Sequence, residues 1–205
     1  MIPEIDEALF RLIRSGAVPD KGVEVAFEAP TRDWAARRNG PAVNAYLYDI
    51  REDVSRRGTG LEDIRDPEGV VTGRRRPLRF FRLSYLVTSW TKRAEDEHRL
   101  LAAVLGCLLG ADVLPVTGSG PLAQLGAAIP LTVAVPPPET RSLADIWSAL
   151  GGDLKPSLDV VVVSPFPQQT NHPVAPPVTD SHAVIGRRLD QPNVVDPIRV
   201  RKVVR

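Results

Sequence analysis

The chain has 205 residues, 43% of them hydrophobic, which is enough for one principal domain with a real core. Its 26 lysines and arginines balance 25 aspartates and glutamates, so no field over the whole chain draws it to nucleic acid or an anionic membrane. The single cysteine, Cys107, excludes an internal disulfide, and its apolar neighbours predict a small buried hydrophobe.

The N-terminus predicts an amphipathic helix rather than a signal peptide, because acidic residues interrupt its apolar pattern. Its apolar residues recur at helical spacing: Ile2, Ile5, Leu9, Leu12 and Ile13. Pro3 suits the first turn, and Gly16 follows the last predicted turn. No run of about eighteen apolar residues occurs in the chain, so we expect no transmembrane helix.

Strand patterns follow at residues 23–28, 43–50 and 78–90. In the third, apolar residues alternate with polar ones, which predicts one core-facing side: Phe81, Leu83, Tyr85 and Val87. This strand leads directly into a predicted helix with Thr91 as its N-cap and Gly110 behind it. The apolar face of that helix consists of Leu101, Val104, Leu105 and Leu108.

Three more elements complete the predicted domain. Alternation over residues 129–135 includes Pro130, which favours an edge strand. Ser142 and Asp145 resemble a capping box that opens a short helix. Its inward residues are expected to be Leu143, Ile146, Trp147 and Leu150. Residues 158–163 are apolar on both faces, as in a central strand. The predicted fold class is α/β (α+β), a single mixed β-sheet with about three packing helices.

The C-terminal part has a different character. Five prolines fall between residues 165 and 177, a density that cannot sustain a packed sheet or helix. We therefore divide the chain into a domain at residues 1–165 and an extended Pro-rich arm at residues 166–205. Within the arm, residues 194–204 regain strand-like alternation. Ile198, Val200 and Val203 would give apolar register, beside the basic Arg199 and Arg201.

Catalytic chemistry has one candidate, the run of Asp96, Glu97 and His98. Neighbouring helix positions point in different directions, and no second histidine or nucleophile lies at compatible spacing. We expect His98 to be a partly buried structural residue on the side of Leu101 and Leu105. The turn around Ser119 lacks the phosphate-loop and nucleophile-elbow patterns. The sequence predicts no catalytic residue, no cofactor and no metal.

Arginines form the one basic cluster, at Arg74, Arg75 and Arg76 with Arg79 and Arg82 nearby. Such a cluster can bind phosphate backbones or an acidic patch on a protein neighbour. Balanced overall charge and few aromatic residues favour the protein partner, so we expect no nucleic acid and no membrane. The five aromatic residues of the predicted elements are expected to pack in the core: Tyr46, Tyr48, Tyr85, Trp90 and Trp147.

Three ordered stretches resemble the cap, or tail-terminator, proteins of extracellular contractile injection systems. The first is PAVNAYLYDIRED at residues 41–53. The second is LSYLVTSW at residues 83–90, leading into DEHRLL at residues 96–101. The third is residues 143–151 with Pro-Ser-Leu at residues 156–158. Val87 and Ser89 depart from the family pattern inside the second stretch. The resemblance covers the chain to about Pro165, and the arm beyond Phe166 matches no pattern.

The resemblance implies a compact α/β domain like those of phage tail terminators. It also implies a homo-hexameric ring that closes the inner tube, anchors the last layer of sheath and has no enzymatic activity. Assembly would take place in the bacterial cytoplasm, in a particle that is then released or retained. His98 would belong to a structural signature.

Other functions stay open at this point. One is a neck or terminator subunit of a contractile phage, and another is a nucleic-acid-binding module that uses the cluster from Arg74 to Arg82. A third is an enzyme using Asp96 or His98. For the cap function, we expect residues 198–204 to add a strand to a neighbouring subunit or sheath protein.

Overall fold

The computed structural model describes residues 1–18, 22–135, 142–166 and 171–174. The helices in these ranges are α1 (Ile2–Gly16), α2 (Arg32–Ala36), α3 (Ala94–Leu109), α4 (Pro121–Gln124) and α5 (Leu143–Ala149). The strands are β1 (Glu24–Ala26), β2 (Ala42–Glu52), β3 (Glu62–Arg65), β4 (Val71–Arg75), β5 (Arg79–Trp90), β6 (Leu131–Val133), β7 (Ser157–Phe166) and β8 (Asn171–Pro173). A 3₁₀ turn, Val54–Arg56, follows β2.

A five-stranded sheet in the order β1-β2-β5-β7-β6 forms the centre of the larger unit. β1 runs parallel to β2, and the other neighbours are antiparallel. Ala42 pairs with Trp90 at one end of the sheet, and Glu52 pairs with Phe81 near the other. β6 is an edge strand and β7 an interior one, which confirms both predictions.

The main core lies between one face of this sheet and helices α1 and α3. The predicted alternation of β5 is confirmed, since Leu83, Tyr85 and Val87 are at most 1% exposed. Gly16 is the last residue of α1 rather than a cap behind it. A Cβ at this position would overlap the thiol of Cys107 on α3, so glycine permits the two helices to approach closely.

A smaller apolar cluster lies on the opposite face of the sheet, at the end where β2 begins. It consists of Ala26, Trp34 and Ala42, with Ala35 and Trp90 packed against it. Trp90 points away from the face that bears Val87, because side chains alternate along a strand. The short helix α2 supplies Trp34, with the Thr31 hydroxyl accepting a hydrogen bond from the backbone N–H of Trp34.

The second compact unit holds the described residues 63–74 and 171–174. Strands β3, β4 and β8 form a three-stranded sheet in that order. Most of its side chains are exposed, and Gly73 lies against the backbone carbonyl of His172.

The mixed α/β class is confirmed, whereas the single sheet is wrong because a second sheet exists. Its strands have largely charged or turn-like sequences, without the apolar alternation by which a strand is recognised. The expectation that the Pro-rich stretch holds no sheet is wrong at Asn171–Pro173, where Pro173 ends the edge strand β8. The strand candidate at residues 194–204 lies outside the described residues.

One predicted helix cap is wrong, and a second is confirmed in position but lacks its side-chain hydrogen bond. Helix α3 begins after Arg93, and the Thr91 hydroxyl instead accepts a hydrogen bond from the backbone N–H of Arg93. Ser142 precedes α5 but makes no capping hydrogen bond through its side chain. Leu143, expected to face inward, is 44% exposed, while Trp147 one turn later is buried.

Candidate functional site

The Asp96-Glu97-His98 run does not converge on a common point. Asp96 pairs with Arg99 at 3.0 Å, and Glu97 pairs with Lys155 at 2.6 Å. His98 is exposed, so the expectation of a partly buried histidine is wrong. The half-buried Glu97 lies towards the sheet, and each further residue rotates the side chain by about 100° around the helix. No cluster of three potential metal ligands occurs among the described residues.

All three tryptophans of the chain lie in one row, which we call the tryptophan end. The rings of Trp34 and Trp90 are 5.4 Å apart, edge to face, and those of Trp90 and Trp147 are 6.3 Å apart. Two cations cover this row: the Arg38 guanidinium lies 4.0 Å from the Trp34 ring centre, and the Lys155 ammonium lies 4.3 Å from that of Trp90. Such contacts are favourable because the ring face is electron-rich.

Carboxylates fix these two cations in place. Glu97 binds Lys155 and also accepts a hydrogen bond from the backbone N–H of Thr91. Arg38 pairs with Glu24 and Glu28 on the edge-strand side. The sequence predicted core packing for Trp90 and Trp147, and Trp147 is indeed buried. Their grouping with Trp34 depends on the register of β2 with β5, which spacing along the chain does not reveal.

An open pocket of about 400 Å³ lies beside Trp90. Its lining consists of Ala35, Arg38, Asn39, Gly40, Pro41, Trp90, Thr91, Lys92 and Asp96. The polar side chains of this lining are Arg38, Asn39, Thr91, Lys92 and Asp96, and Asp96 pairs with Arg99 on the exposed side of α3.

The opposite end of the five-stranded sheet is rich in arginine. We call it the arginine end and define it as residues 49–57 and 79–82 together with Phe166. Glu52 accepts hydrogen bonds from both Arg57 and Arg79, at 2.9 and 2.7 Å from their Nε atoms. These two guanidinium groups hold the pKa of Glu52 at about 2.

Apolar groups are interleaved with these charges. Arg56 lies over the ring of Phe80, and Phe81 packs edge to face on Phe166 at 5.7 Å. Ile50, Val54 and Phe166 are 47%, 64% and 44% exposed. An exposed apolar patch surrounded by guanidinium groups is a composition typical of protein interfaces.

Of the three predicted interface arginines among the described residues, two are already paired. Arg74 pairs with Asp63 and Arg75 with Glu62, each at 3.2 Å, although both side chains are more than half exposed. Arg76 is exposed and has no ion pair within the described part of the chain. Arg79 and Arg82 belong to the arginine end instead. The other predicted interface residues, Ile198, Arg199, Val200, Arg201 and Val203, lie outside the described residues.

The second half of α3 forms a third unusual surface, which sequence reasoning missed. Between Leu100 and Val135 the only charged residue is Asp112, in a chain that is 25% charged. The exposed side of α3 in this stretch carries Ala102, Ala103, Gly106 and Leu109. A helix that is apolar all round is ordinarily buried, yet Leu109 is 62% exposed. The missing charges were visible in the sequence and could have identified this surface.

Two partly buried tyrosine–aspartate hydrogen bonds join strands of the sheet to their neighbours. The Tyr85 hydroxyl donates to Asp6 of α1 at 2.7 Å, and the Tyr48 hydroxyl donates to Asp159 of β7 at 2.8 Å. Burial raises the pKa of both tyrosines, and the neighbouring carboxylates raise it further. Both hydroxyls therefore stay protonated as hydrogen-bond donors, a structural role.

The described helices were also compared with the length and apolar character that a membrane span requires, and none of them meets both.

Comparison with known proteins gives one family and a set of solved structures. The family model of the Pvc16 N-terminal domain matches residues 4–180. The fold resembles the PVC sheath/tube terminator of an extracellular contractile injection system in its extended state, with a TM-score of 0.68 and 21% identity. It also resembles the tube-terminating cap of the anti-feeding prophage, with a TM-score of 0.62 and 21% identity.

These likenesses cover 93% and 88% of this chain but only 65% and 60% of the two matched chains. The chain thus spans less than two thirds of the length of either matched structure. No curated protein matches it by sequence.

Proposed function

Because the chain belongs to the Pvc16 N-terminal domain family, we propose that it is a terminator subunit of a contractile injection system. It closes the end of the inner tube and anchors the last layer of sheath. The observation that carries the proposal is the family match over residues 4–180, supported by the agreement of fold with two terminators.

The surfaces of the chain support a structural role rather than an enzymatic one. The exposed apolar side of α3, with Leu109 62% exposed, would be unfavourable on a free monomer in water. In an assembly, a neighbouring subunit can cover this apolar surface and remove it from water. The one catalytic candidate of the sequence, the Asp96-Glu97-His98 run, does not converge on a common point.

The proposed assembly is a homo-hexameric ring with two protein partners, the inner tube and the sheath, and with no nucleic acid or membrane. A growing tube or sheath presents a repeating surface and unpaired strand edges at its end. A ring that binds this end without offering the surface for another layer stops growth. Termination then follows from geometry alone, and assembly takes place in the bacterial cytoplasm.

Residues 166–205 are proposed to act as an arm that ties the ring to its surroundings. Ile198, Val200 and Val203 would set the register of a strand added to a neighbouring subunit or sheath protein. The exposed Arg74, Arg75 and Arg76 would meet acidic groups of the same partner. Arg74 and Arg75 form exposed ion pairs, which contribute little to stability and exchange readily for new partners.

Location on the particle tests the proposal. A copy carrying a gold-binding or affinity tag at its N-terminus is expected to label a single tip of each particle, because a terminator occupies only the end. Tagged tube protein serves as the control and should label along the length. Label distributed along the particle, or its absence from purified particles, would rule out the terminator function.

A further inference from the structure

Strand β1 forms the open edge of the five-stranded sheet. The other edge, β6, is partly covered, because the backbone N–H of Leu131 donates to the carbonyl of Asp112 and Val113 bridges to Pro130. On its outer side, β1 pairs with no other described strand. An open groove of about 520 Å³ follows this side. Five consecutive residues line the groove: Glu24, Val25, Ala26, Phe27 and Glu28.

Backbone groups of β1 face this groove without partners. β1 runs parallel to β2, and the N–H of Glu24 donates to the carbonyl of Pro41 at 3.0 Å. In a parallel pair, residues that bond the neighbouring strand alternate with residues whose N–H and C=O point away from it. The outward residues are therefore Val25 and Phe27. Among the described residues, none forms a hydrogen bond to their outward backbone groups.

Apolar side chains lie beside the open edge on both faces of the sheet. Val25 belongs to the main core with Phe27 packed against it, and Ala26 belongs to the smaller cluster around Trp34. A strand placed next to β1 would thus extend both apolar layers while its backbone pairs with β1. The edges of the second sheet offer less, since β3 is mostly exposed and β8 ends in Pro173, which has no N–H.

One segment of the chain has a strand pattern but no position in the described sheets. Every other strand pattern of the sequence became a strand of the five-stranded sheet, whereas residues 194–204 lie outside the described residues. In this segment, Ile198 and Val200 alternate with Arg199 and Arg201, as in a strand with one apolar face. An unpaired edge and an unassigned strand pattern therefore occur in the same chain.

Backbone pairing and apolar contacts, rather than charge, decide this fit. Arg38 already pairs with Glu24 and lies 3.9 Å from Glu28, so the two carboxylates of the groove have a cation within the chain. Hydrogen bonds to an edge strand need only an extended backbone, and side chains on alternate positions then set the register.

The length of chain outside the described residues permits the segment to reach its own β1. Residues 175–197 connect Val174 to Ile198. Fully extended, this connection spans about 80 Å, roughly twice the length of the 12-residue strand β5. A tethered segment also has an effective concentration on the order of a millimolar. Pairing within one chain is therefore favoured over pairing with a second copy in dilute solution.

We propose that residues 198–204 of the free chain add a strand to the open edge of their own β1. Val25 and Phe27 supply the backbone hydrogen bonds, and Ile198 and Val200 supply the apolar contacts. The contact covers an edge that would otherwise pair with any exposed strand. It belongs to the chain before assembly and does not depend on the terminator function. On assembly, the segment can exchange to a neighbouring molecule because one strand pairing replaces another.

Proline substitutions in the full chain test the contact. Alternate residues of a strand direct their N–H groups to the same neighbour, so one of two adjacent residues faces β1 in either register. The double variant Val200→Pro/Arg201→Pro therefore removes a bonding N–H whichever register applies. Ala183→Pro/Val184→Pro is the matched control, because it places the same two prolines in the arm but outside the segment.

Hydrogen exchange of residues 23–28, followed by mass spectrometry, gives the readout. Loss of the pairing should speed exchange of the outward amides of Val25 and Phe27 about tenfold, the effect expected for one net hydrogen bond. The wild-type chain and the control variant should exchange alike. Exchange over residues 83–89 of β5 should be the same in all three chains, which verifies that the domain is folded.

Equal exchange of residues 23–28 in all three chains would overturn the contact. Isotopically labelled Val200→Pro/Arg201→Pro, mixed with an excess of unlabelled wild type, then identifies the source of the strand. Pairing within one chain predicts that the labelled edge stays unprotected in the mixture. Restored protection would show that the strand comes from another copy, and the contact within one chain would be wrong. Tip labelling is measured separately, so its failure leaves this result unaffected.

Discussion

At the arginine end, one carboxylate joins two guanidinium groups from different elements. Glu52 ends β2, Arg57 follows the 3₁₀ turn, and Arg79 begins β5. The Glu52 side chain is 13% exposed, whereas those of Arg57 and Arg79 are 49% and 42% exposed. Glu52 therefore organises the surface without forming much of it, and the arginines keep donors for an outside partner.

The low pKa of Glu52 predicts a pH-dependent contribution to stability. A carboxyl group whose folded pKa lies below its unfolded value of about 4.3 stabilises the fold above that value and loses its contribution as pH falls to about 2. The variant Glu52→Gln should thus be less stable than wild type at pH 7. The difference should vanish between about pH 4.3 and 2, as measured by urea unfolding at a series of pH values.

Glu62→Gln is the matched control for this prediction. In the part of the chain that the structure describes, Glu62 pairs with a single arginine, Arg75, and it is 49% exposed, so its loss should change stability little at any pH. A constant difference between Glu52→Gln and wild type down to pH 2 would contradict the role given to Glu52.

Single residues were the hardest features to predict from the sequence. The alternating pattern of β5 predicted that Leu83, Tyr85 and Val87 are buried, because residues two positions apart in a strand lie on the same face of the sheet. His98 was placed wrongly, since its exposure depends on how α3 is rotated against the sheet. The row formed by Trp34, Trp90 and Trp147 joins residues more than fifty positions apart, and no local pattern encodes such distances.

Helix α3 has an apolar second half, yet part of that half is exposed. Gly106 lies in its interior, and a Cβ there would meet no atom within 4 Å. Glycine costs about 1 kcal/mol relative to alanine in a helix interior. Gly106→Ala should therefore raise the free energy of unfolding by about 1 kcal/mol, measurable by urea denaturation.

Gly16 at the end of α1 gives the opposite expectation. A Cβ at this position overlaps the thiol of Cys107, so Gly16→Ala should lower the free energy of unfolding. In a Cys107→Ala background the overlap is removed, and the same substitution should be nearly neutral. Equal costs in both backgrounds would show that the close approach of α1 and α3 is not the reason for glycine at this position.

Among the elements, long periodic segments were predictable and the short ones were not. The elements β5, α1 and α3 each bury a regular face that the sequence shows, and β7 was recognised by its continuous apolar run. The strands of the second sheet escaped detection because their side chains are mostly exposed and charged. These segments are strands because their backbones are hydrogen-bonded to one another, and the amino-acid composition does not reveal such pairing.

At the scale of the whole molecule, the described residues form a five-stranded sheet with distinct surfaces at its two ends and a second, three-stranded sheet. Strand β8 (Asn171–Pro173) is the neighbour of β4 in the second sheet, so these residues of the predicted arm belong to a sheet. The family match extends to residue 180, further than the resemblance visible in the sequence. The fold class and the family could be predicted from the sequence, because both depend on local patterns in a fixed order. The interaction surfaces were not, because they depend on which residues the fold leaves exposed.

Two truncated chains distinguish the role of the arm from that of the second sheet. A chain ending after Val174 keeps β8, whereas one ending after Phe166 leaves β4 without that neighbour. We expect both to fold, and both to support termination poorly if residues beyond 174 tie the ring to the sheath. Only the shorter chain should lose hydrogen-exchange protection in β4. Normal termination by the chain ending after Val174 would remove the role proposed for the arm.

The length of the particle tests the central claim most directly. Electron microscopy of particles made with and without this protein gives the distribution of tube lengths and the appearance of both ends. The terminator function predicts that particles without it have open, uncapped tubes of variable length and poorly anchored sheath. Particles of unchanged length with closed ends in its absence would contradict the account.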